Sequence, residues 1–304
     1  MNPSRPLLIV ITGPTASGKS ALAVDVASRL GCDIVSADSR QIYRGIPIGT
    51  AAPVPAELAA VRHHFVGVLE LDEYYSAARY ESEAVELLGR LFCHSDVAVM
   101  CGGSMMYVDS VTEGIDRLPD ISDATRARVR ELYESSGLDA LVAWLETIDP
   151  EYVAEADLRN PRRVAHAIEI TLEAGQPYST LRGRRNANRP FDVVKVAVGM
   201  PRDRLFDRIN RRVGAMMEAG LLEEARRVYP LRHLNSLNTV GYKELFAYFD
   251  GEMPLDVAVA RIAKNTRVYA KNQLTWLSRP SVRPAMWLPE DSTASDVLRV
   301  AGRL

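Results

Sequence analysis

The apolar run LLIVIT (residues 7–12) leads directly into GPTASGKS (13–20), and no other stretch constrains the fold so tightly. The second segment has the G-x-x-x-x-G-K-S pattern of a phosphate-binding loop, which requires a strand before it and a helix after it. Gly13 and Gly18 let the backbone turn its N–H groups inward, and Pro14, Thr15, Ala16 and Ser17 complete the cradle. Lys19 supplies a point charge, Ser20 offers a hydroxyl to Mg²⁺, and the positive end of the following helix adds to the attraction. The motif specifies a chain of phosphates without saying whose. A bound nucleotide, as in ATP-binding P-loops, and another diphosphate both satisfy it.

Three further apolar runs, CDIVSA (32–37), DVAVMCG (96–102) and VVKVAVGM (193–200), are separated by helical patterns. Together they predict an α/β fold, a P-loop NTPase-like parallel sheet covered on both faces. About ninety residues separate the third run from the fourth, too many for one crossover helix. The intervening TRARVRELYESSG, LDALVAWLETIDP and NPRRVAHAIEITLEAG read as helices broken at Asp149–Pro150 and Asn160–Pro161. The expected organisation is therefore a core formed by 1–115 and 191–304, with a helical insertion subdomain over 116–190.

At 304 residues, 47% of them hydrophobic, the chain is long enough for a large core and a second unit. A formal net charge of −2 argues against a generally basic nucleic-acid binder while leaving room for a local basic surface. Cys32, Cys93 and Cys101 show no C-x-x-C or zinc spacing and are expected to be reduced, mostly buried thiols. No apolar run reaches the roughly eighteen residues of a membrane span, and the Met1–Arg5 start lacks the apolar region of a signal peptide. A cytoplasmic protein with no membrane partner is expected.

A P-loop ATPase holds Mg²⁺ with an Asp at the end of another apolar strand. Here the third run ends instead in CGGSMMY, and the nearest carboxylate is Asp38, in SADSRQIYRG beyond the second run. The carboxyl ends of adjacent parallel strands open onto one crevice, which puts Asp38 near the loop. There it could hold water on the metal or take a proton from a nucleophile; it could also cap the next helix. The strand-end location favours function. Gly102-Gly103-Ser104 would face the same crevice, either admitting a substrate close to the backbone or making a tight strand-to-helix turn. His63 and His64 have no Cys or carboxylate at ligand spacing, so packing or a hydrogen bond is expected rather than a metal site.

The C-terminal third is helical and rich in arginine. PRDRLFDRINRRVGAMMEAG places Leu205, Ile209, Val213 and Met216 on one stripe, with Arg204, Arg208, Arg211 and Arg212 elsewhere. In ARIAKNTRVYAKNQLTWL, Ile262, Tyr269, Gln273 and Trp276 share one face and Lys264, Arg267 and Lys271 the opposite one. That basic stripe suits a solvated helix face or a phosphodiester backbone.

Taken together, GPTASGKS, SADSRQIYRGIPIGTAAP, HHFVG, CGGSMMYVDSVTEG, NPRRVAHAIEI, LNTVGYKELF and KNTRVYAKNQLTWL resemble the tRNA dimethylallyltransferases, also called tRNA isopentenyltransferases. The matching segments run in the family's order from residue 9 to about 280. The resemblance implies transfer of a dimethylallyl group from its diphosphate to N6 of the adenosine immediately 3′ of the anticodon. It also implies a P-loop that cradles the prenyl diphosphate with Mg²⁺, and a channel that takes a flipped tRNA base from one end. Asp38 matches the family's catalytic Asp, proposed to accept the amine proton, and Ser39, Arg40 and Gln41 lie in a segment that contacts tRNA. Ser104 stands where the family usually has Thr and keeps the hydroxyl. Arg208 and Arg212 fall in the R-I-x-x-R helix, one of them facing the diphosphate. Arg126, the stretch Arg162, Arg163, Val164, Ala165 and His166, and the stretch Asn238, Thr239, Val240, Gly241, Tyr242 and Lys243 match tRNA-contacting positions. His166 replaces a usual Arg, which puts one such contact in doubt. A bacterial-type enzyme without the zinc-finger extension of eukaryotic relatives is expected, and so is a monomer.

Two alternatives share part of this pattern. An ATP-dependent small-molecule kinase would also have a P-loop, an Asp after the second strand and lid arginines. An isopentenyltransferase acting on free adenine nucleotides would need neither the long insertion nor the NTVGYKE segment.

Overall fold

In the strand Leu7–Thr12 (β1) all six residues are buried, so it needs cover on both faces. A computed structural model of the chain describes residues 5–183, 188–280, 282, 284 and 286–303; of the Met1–Arg5 start only Arg5 lies within them. Around β1 the backbone builds a parallel sheet with Ile34–Ser36 (β2), His63–His64 (β3), Val97–Cys101 (β4), Asp192–Val198 (β5) and Met286–Leu288 (β6), in the order β3-β2-β4-β1-β5-β6.

The alternation of strand side chains divides β1 between two cores. Leu7, Ile9 and Ile11 pack with Leu22, Ala23 and Val26 of the Lys19–Leu30 helix and with Val297 and Leu298 of the Ala294–Val300 helix. Leu8 and Val10 belong to the opposite cluster, with Tyr80, Leu88, Tyr242 and Trp276. Each such aliphatic side chain stabilises the fold by about 1.5–3 kcal/mol relative to its exposed state.

The four long apolar runs of the sequence are all strands of this sheet; β3 and β6 are additional, two and three residues long, at its edges. The order also corrects one expectation. β2 is not the neighbour of β1, because β4 lies between them, so Asp38 reaches the loop across the end of β4. From β1 the chain runs outward to β2 and returns to β4, then crosses to the other side of β1 for β5. The order in which strands are added therefore reverses at β1, and the crevice at such a switch point is where parallel sheets take ligands.

The chain divides into two compact units, one running to Thr112 and resuming at Arg189, the other from Glu113 to Asn188. The second unit is helical: Asp123–Ile148, interrupted at Gly137 (φ 77°), then Pro150–Glu155, Pro161–Ala174 and Tyr178–Leu181. Ser122, Asp149 and Asn160 cap its three longer segments through their side-chain oxygens. Val129, Leu141, Leu145, Tyr152, Val164, Ala167 and Ile168 form a core of its own.

All three cysteines are free thiols, but only Cys32 is buried; Cys93 is exposed and Cys101 half-buried. That corrects the expectation for Cys93, which lies in the turn just past the Ala77–Leu91 helix. His64 Nε2 pairs with Asp33 Oδ2 at 2.8 Å and His63 Nδ1 with the Val61 carbonyl at 2.8 Å, the hydrogen-bonding role expected of the pair. No helix among the described residues is long and apolar enough to cross a membrane.

Candidate active site

The loop after β1 turns through three left-handed residues, Gly13 (φ 147°), Ala16 (φ 66°) and Gly18 (φ 95°). A Cβ on Gly13 would lie 2.6 Å from the Val198 carbonyl, so only glycine lets the loop pass the end of β5. The Lys19–Leu30 helix begins at Gly18 with no side-chain cap. Its first N–H groups are left for an anion, which the helix dipole favours. Lys19 Nζ lies 3.3 Å from the Pro14 carbonyl, and Ser17 Oγ is buried with no hydrogen-bond partner among the described residues. Burial pulls the Lys19 pKa below the ordinary lysine value; Arg212 pushes it further down, while Asp38 draws it back.

Asp38 stands at the end of β2 and uses one oxygen locally. Oδ1 accepts from the Arg40 N–H at 2.9 Å and the Gln41 N–H at 3.2 Å, so the capping role and a crevice-facing role coexist in one side chain. Oδ2 has no hydrogen-bond partner among the described residues, and the carboxylate acts electrostatically on both Lys19 and Arg212. Ser104 joins the Asp38 loop to the β4 turn: its Oγ accepts from the Ser39 N–H at 2.8 Å and donates to Ser39 Oγ at 3.2 Å.

Gly102 and Gly103 are needed by the chain itself rather than by a ligand. A Cβ on Gly102 would lie 2.1 Å from the Ala37 carbonyl, and one on Gly103 would lie 2.3 Å from Gln273 Nε2. That close approach lets β2, β4 and the Leu255–Leu277 helix converge on the loop. Gln273, 2% exposed, accepts from the Thr15 N–H at 2.8 Å and donates to the Gly103 carbonyl at 2.8 Å. It ties the P-loop to the glycine turn. Sequence reasoning placed Gln273 on the apolar face without a role, although a lone amide on that face was the signal.

Arg208 and Arg212, one turn apart on the Arg202–Glu218 helix, both reach the loop at different points. Arg212 Nη1 donates to Thr15 Oγ1 at 3.1 Å, and burial lowers its pKa against the pull of Asp38. Arg208 Nη2 lies 3.4 Å from where a Gly18 Cβ would stand.

Beside Ser104 opens a cavity of about 300 Å³. Tyr43, Tyr75, Tyr107 and Tyr269 supply aromatic walls and Met105 and Met106 an apolar one. Ser39, Arg40, Ser104 and Asn235 supply polar atoms, and Arg40 Nη1 is fixed on the Asn235 and Ser236 carbonyls at 2.8 and 3.0 Å. Tyr269, 38% exposed, lines the cavity together with Ser104. Burial, reinforced by Asp38, pushes its pKa up to about 12, which keeps the phenol neutral.

The remaining sequence candidates divide by burial. Asn238 and Lys243 are exposed, Thr239 and Val240 half-buried, and Gly241 buried as the N-terminal flank of the Tyr242–Phe249 helix. Tyr242 is fully buried, its hydroxyl donating to Glu224 Oε1 at 2.6 Å, so its side chain packs rather than meeting RNA. Gln41 spends its amide N–H on the Thr50 and Ala51 carbonyls. Within the helical unit, Arg162, Arg163 and His166 are exposed and Ala165 and Arg126 half-buried, while Val164 lies in that unit's core and is withdrawn from a surface role. Partial burial and then the nearby Arg126 charge hold the His166 pKa below its ordinary value.

The model of the family described as IPP transferase matches residues 41–280. The chain is 49% identical over 284 residues to tRNA dimethylallyltransferase 1 of Phocaeicola vulgatus, covering 93% of this chain and 94% of that protein. It is 50% identical over 274 residues to tRNA dimethylallyltransferase 1 of Bacteroides thetaiotaomicron, covering 90% and 89%. The full-length tRNA isopentenylpyrophosphate transferase of Bacillus halodurans superposes with a TM-score of 0.70 at 32% identity, over 99% of this chain and 97% of that one. A eukaryotic dimethylallyltransferase acting on tRNA shares the fold, with a TM-score of 0.81 at 22% identity over 98% of this chain and 80% of that one. Matched through most of its length by the family model and at about half identity by these relatives, the chain belongs to the IPP transferase family.

Proposed function

We propose that the protein transfers a dimethylallyl group from dimethylallyl diphosphate to N6 of the adenosine 3′-adjacent to the anticodon in tRNA, releasing pyrophosphate. It acts as a cytoplasmic monomer on the anticodon stem-loop. The observation that carries this reading is the neighbourhood of Asp38: its carboxylate acts on Lys19 and Arg212, while the next residues, Ser39 and Arg40, line the tyrosine-walled cavity together with Ser104. The anion cradle and the cavity are thus joined through adjacent residues, Asp38 and Ser39.

In this reading the adenine enters the cavity and the diphosphate lies on residues 13–20. The exocyclic amine is a weak nucleophile, since its lone pair is delocalised into the ring, so alignment and leaving-group stabilisation must supply the rate. The N6 lone pair forms the new C–N bond as the allylic C–O bond breaks, and the electron pair leaves with pyrophosphate. The uncapped helix N–H groups, Lys19, Arg208 and Arg212 stabilise that charge. Asp38 Oδ2 accepts the amine proton; Ser104 holds the Asp38 loop through Ser39 and faces the base. Arg40, Ser39, the exposed part of Asn238–Lys243, and Arg126, Arg162, Arg163 and His166 take the RNA.

Mg²⁺ fits the site as a minimally held ion. Among the described residues no group of three or more His, Cys, Asp and Glu side chains could cage a metal. Mg²⁺ characteristically uses one or two protein oxygens, water and substrate phosphates, and the oxygens of Ser20 and Asp38 are the candidates. When bound, the ion neutralises diphosphate charge.

The kinase and free-nucleotide alternatives find no favour among the relatives, whose names specify tRNA. The test is incubation with labelled dimethylallyl diphosphate and unmodified tRNA without ATP. Label should enter the tRNA; strict ATP dependence with no labelled RNA would overturn the reading.

A further inference from the structure

Glu290 lies in the turn after β6, at the edge of the sheet and in none of the motif segments of the sequence. All six strands are parallel, so this turn and the P-loop open on the same side of the sheet, with only β5 between β1 and β6. The Glu290 side chain is 15% exposed and faces the Arg202–Glu218 helix. Its Oε1 pairs with Arg204 Nη1 at 2.5 Å and its Oε2 with Arg208 Nη1 at 3.5 Å. The other terminal nitrogen of Arg208, Nη2, is the nearer of the two to Gly18.

The Arg208 guanidinium thus sits over the uncapped start of the P-loop helix, Nη2 at 3.4 Å and Nη1 at 3.9 Å from where a Gly18 Cβ would stand, while Nη1 also faces the Glu290 carboxylate. Its side chain is 37% exposed. Without an anchor, a long side chain of that exposure samples many rotamers, and ordering it on a ligand costs entropy. Arg212 needs no such device, because Thr15 Oγ1 already holds it.

We propose that Glu290 is a positioning residue that holds Arg208 over the P-loop, so that Nη2 meets the diphosphate without a search. The inference rests on the reading that residues 13–20 bind a diphosphate. It assigns the two arginines different supports: Arg212 is held by the loop it serves, Arg208 by a carboxylate from the turn after the last strand. Glu290 touches no reacting atom and acts through Arg208 alone.

The test is a double-mutant cycle read by calorimetric binding of inorganic pyrophosphate and by KM for dimethylallyl diphosphate, with wild type, Glu290→Gln, Arg208→Ala and the double variant. Glu290→Gln preserves side-chain volume, and thermal melting checks its fold. It should weaken pyrophosphate by about three- to tenfold and raise the prenyl-donor KM to match, leaving tRNA affinity unchanged. In the Arg208→Ala background the same substitution should do nothing further. Unchanged pyrophosphate affinity in Glu290→Gln, or an equal loss in both backgrounds, would overturn the inference while leaving the diphosphate reading intact. A wild-type protein that fails to bind pyrophosphate at all would instead remove the diphosphate reading, and this inference with it.

Discussion

Asp38 separates its duties between two oxygens: Oδ1 shapes the loop by accepting two backbone N–H groups, and Oδ2 takes no hydrogen bond among the described residues. Asparagine can keep the first role, because its amide oxygen accepts the same bonds. Asp38→Asn should therefore lower single-turnover transfer by about 10²–10⁴-fold while tRNA binding and the melting temperature stay near wild type. Near-normal transfer by that variant would remove the base role. Asp38→Ala should lose transfer as well, with tRNA affinity nearly intact. Tyr269 presents an aromatic face to the cavity, and its phenol stays neutral well above working pH. Stacking on an entering base is worth about 1–3 kcal/mol, so Tyr269→Ala should raise the tRNA KM by roughly tenfold or more, and Tyr269→Phe should keep most of the affinity. Equal losses in both variants would place the contribution in the hydroxyl. The motif residues were legible in the sequence because their chemistry is local. Gln273, Tyr269 and Glu290 were not, since their meaning depends on partners far away along the chain; Gln273 and Gly103 are 170 residues apart.

At the scale of elements, the Leu255–Leu277 helix fixes the site by one buried amide. Gln273→Ala would leave the Thr15 N–H and the Gly103 carbonyl without their partner, at a cost of about 1–3 kcal/mol. Urea unfolding should show that loss, together with weaker pyrophosphate binding; an unchanged midpoint would mean that water replaces the amide freely. The long apolar strands could be read from the sequence because a strand covered on both faces must be continuously apolar. The edge strands β3 and β6, two and three residues long, carry no period to read. The break at Gly137, where a positive φ interrupts the Asp123–Ile148 helix, carries no proline to announce it, unlike Asp149–Pro150 and Asn160–Pro161.

For the whole molecule, strand order was the part hidden from the sequence. β2 and β4 are both apolar runs, and nothing in their composition says that β4 takes the central place beside β1. The helical unit was visible as an interval too long for one crossover, and its surface bears on function. Arg162 and Arg163 occupy the first turn of the Pro161–Ala174 helix, where the dipole disfavours cations. Replacing both by alanine should stabilise that helix by about 0.3–1 kcal/mol per charge. If they serve RNA, the same change should weaken tRNA binding and reduce its salt slope by about one for each phosphate no longer neutralised. Pyrophosphate affinity should not move. Unaltered tRNA binding would return these arginines to the solvent.

The central claim, that one carboxylate joins a diphosphate cradle to a base cavity, is tested most directly by product mapping after a single turnover. Wild-type protein, labelled dimethylallyl diphosphate and unmodified tRNA should yield one labelled nucleoside, N6-dimethylallyladenosine from the position 3′ of the anticodon, with one pyrophosphate released per label. Label on another nucleoside, or pyrophosphate released without labelled tRNA, would contradict it.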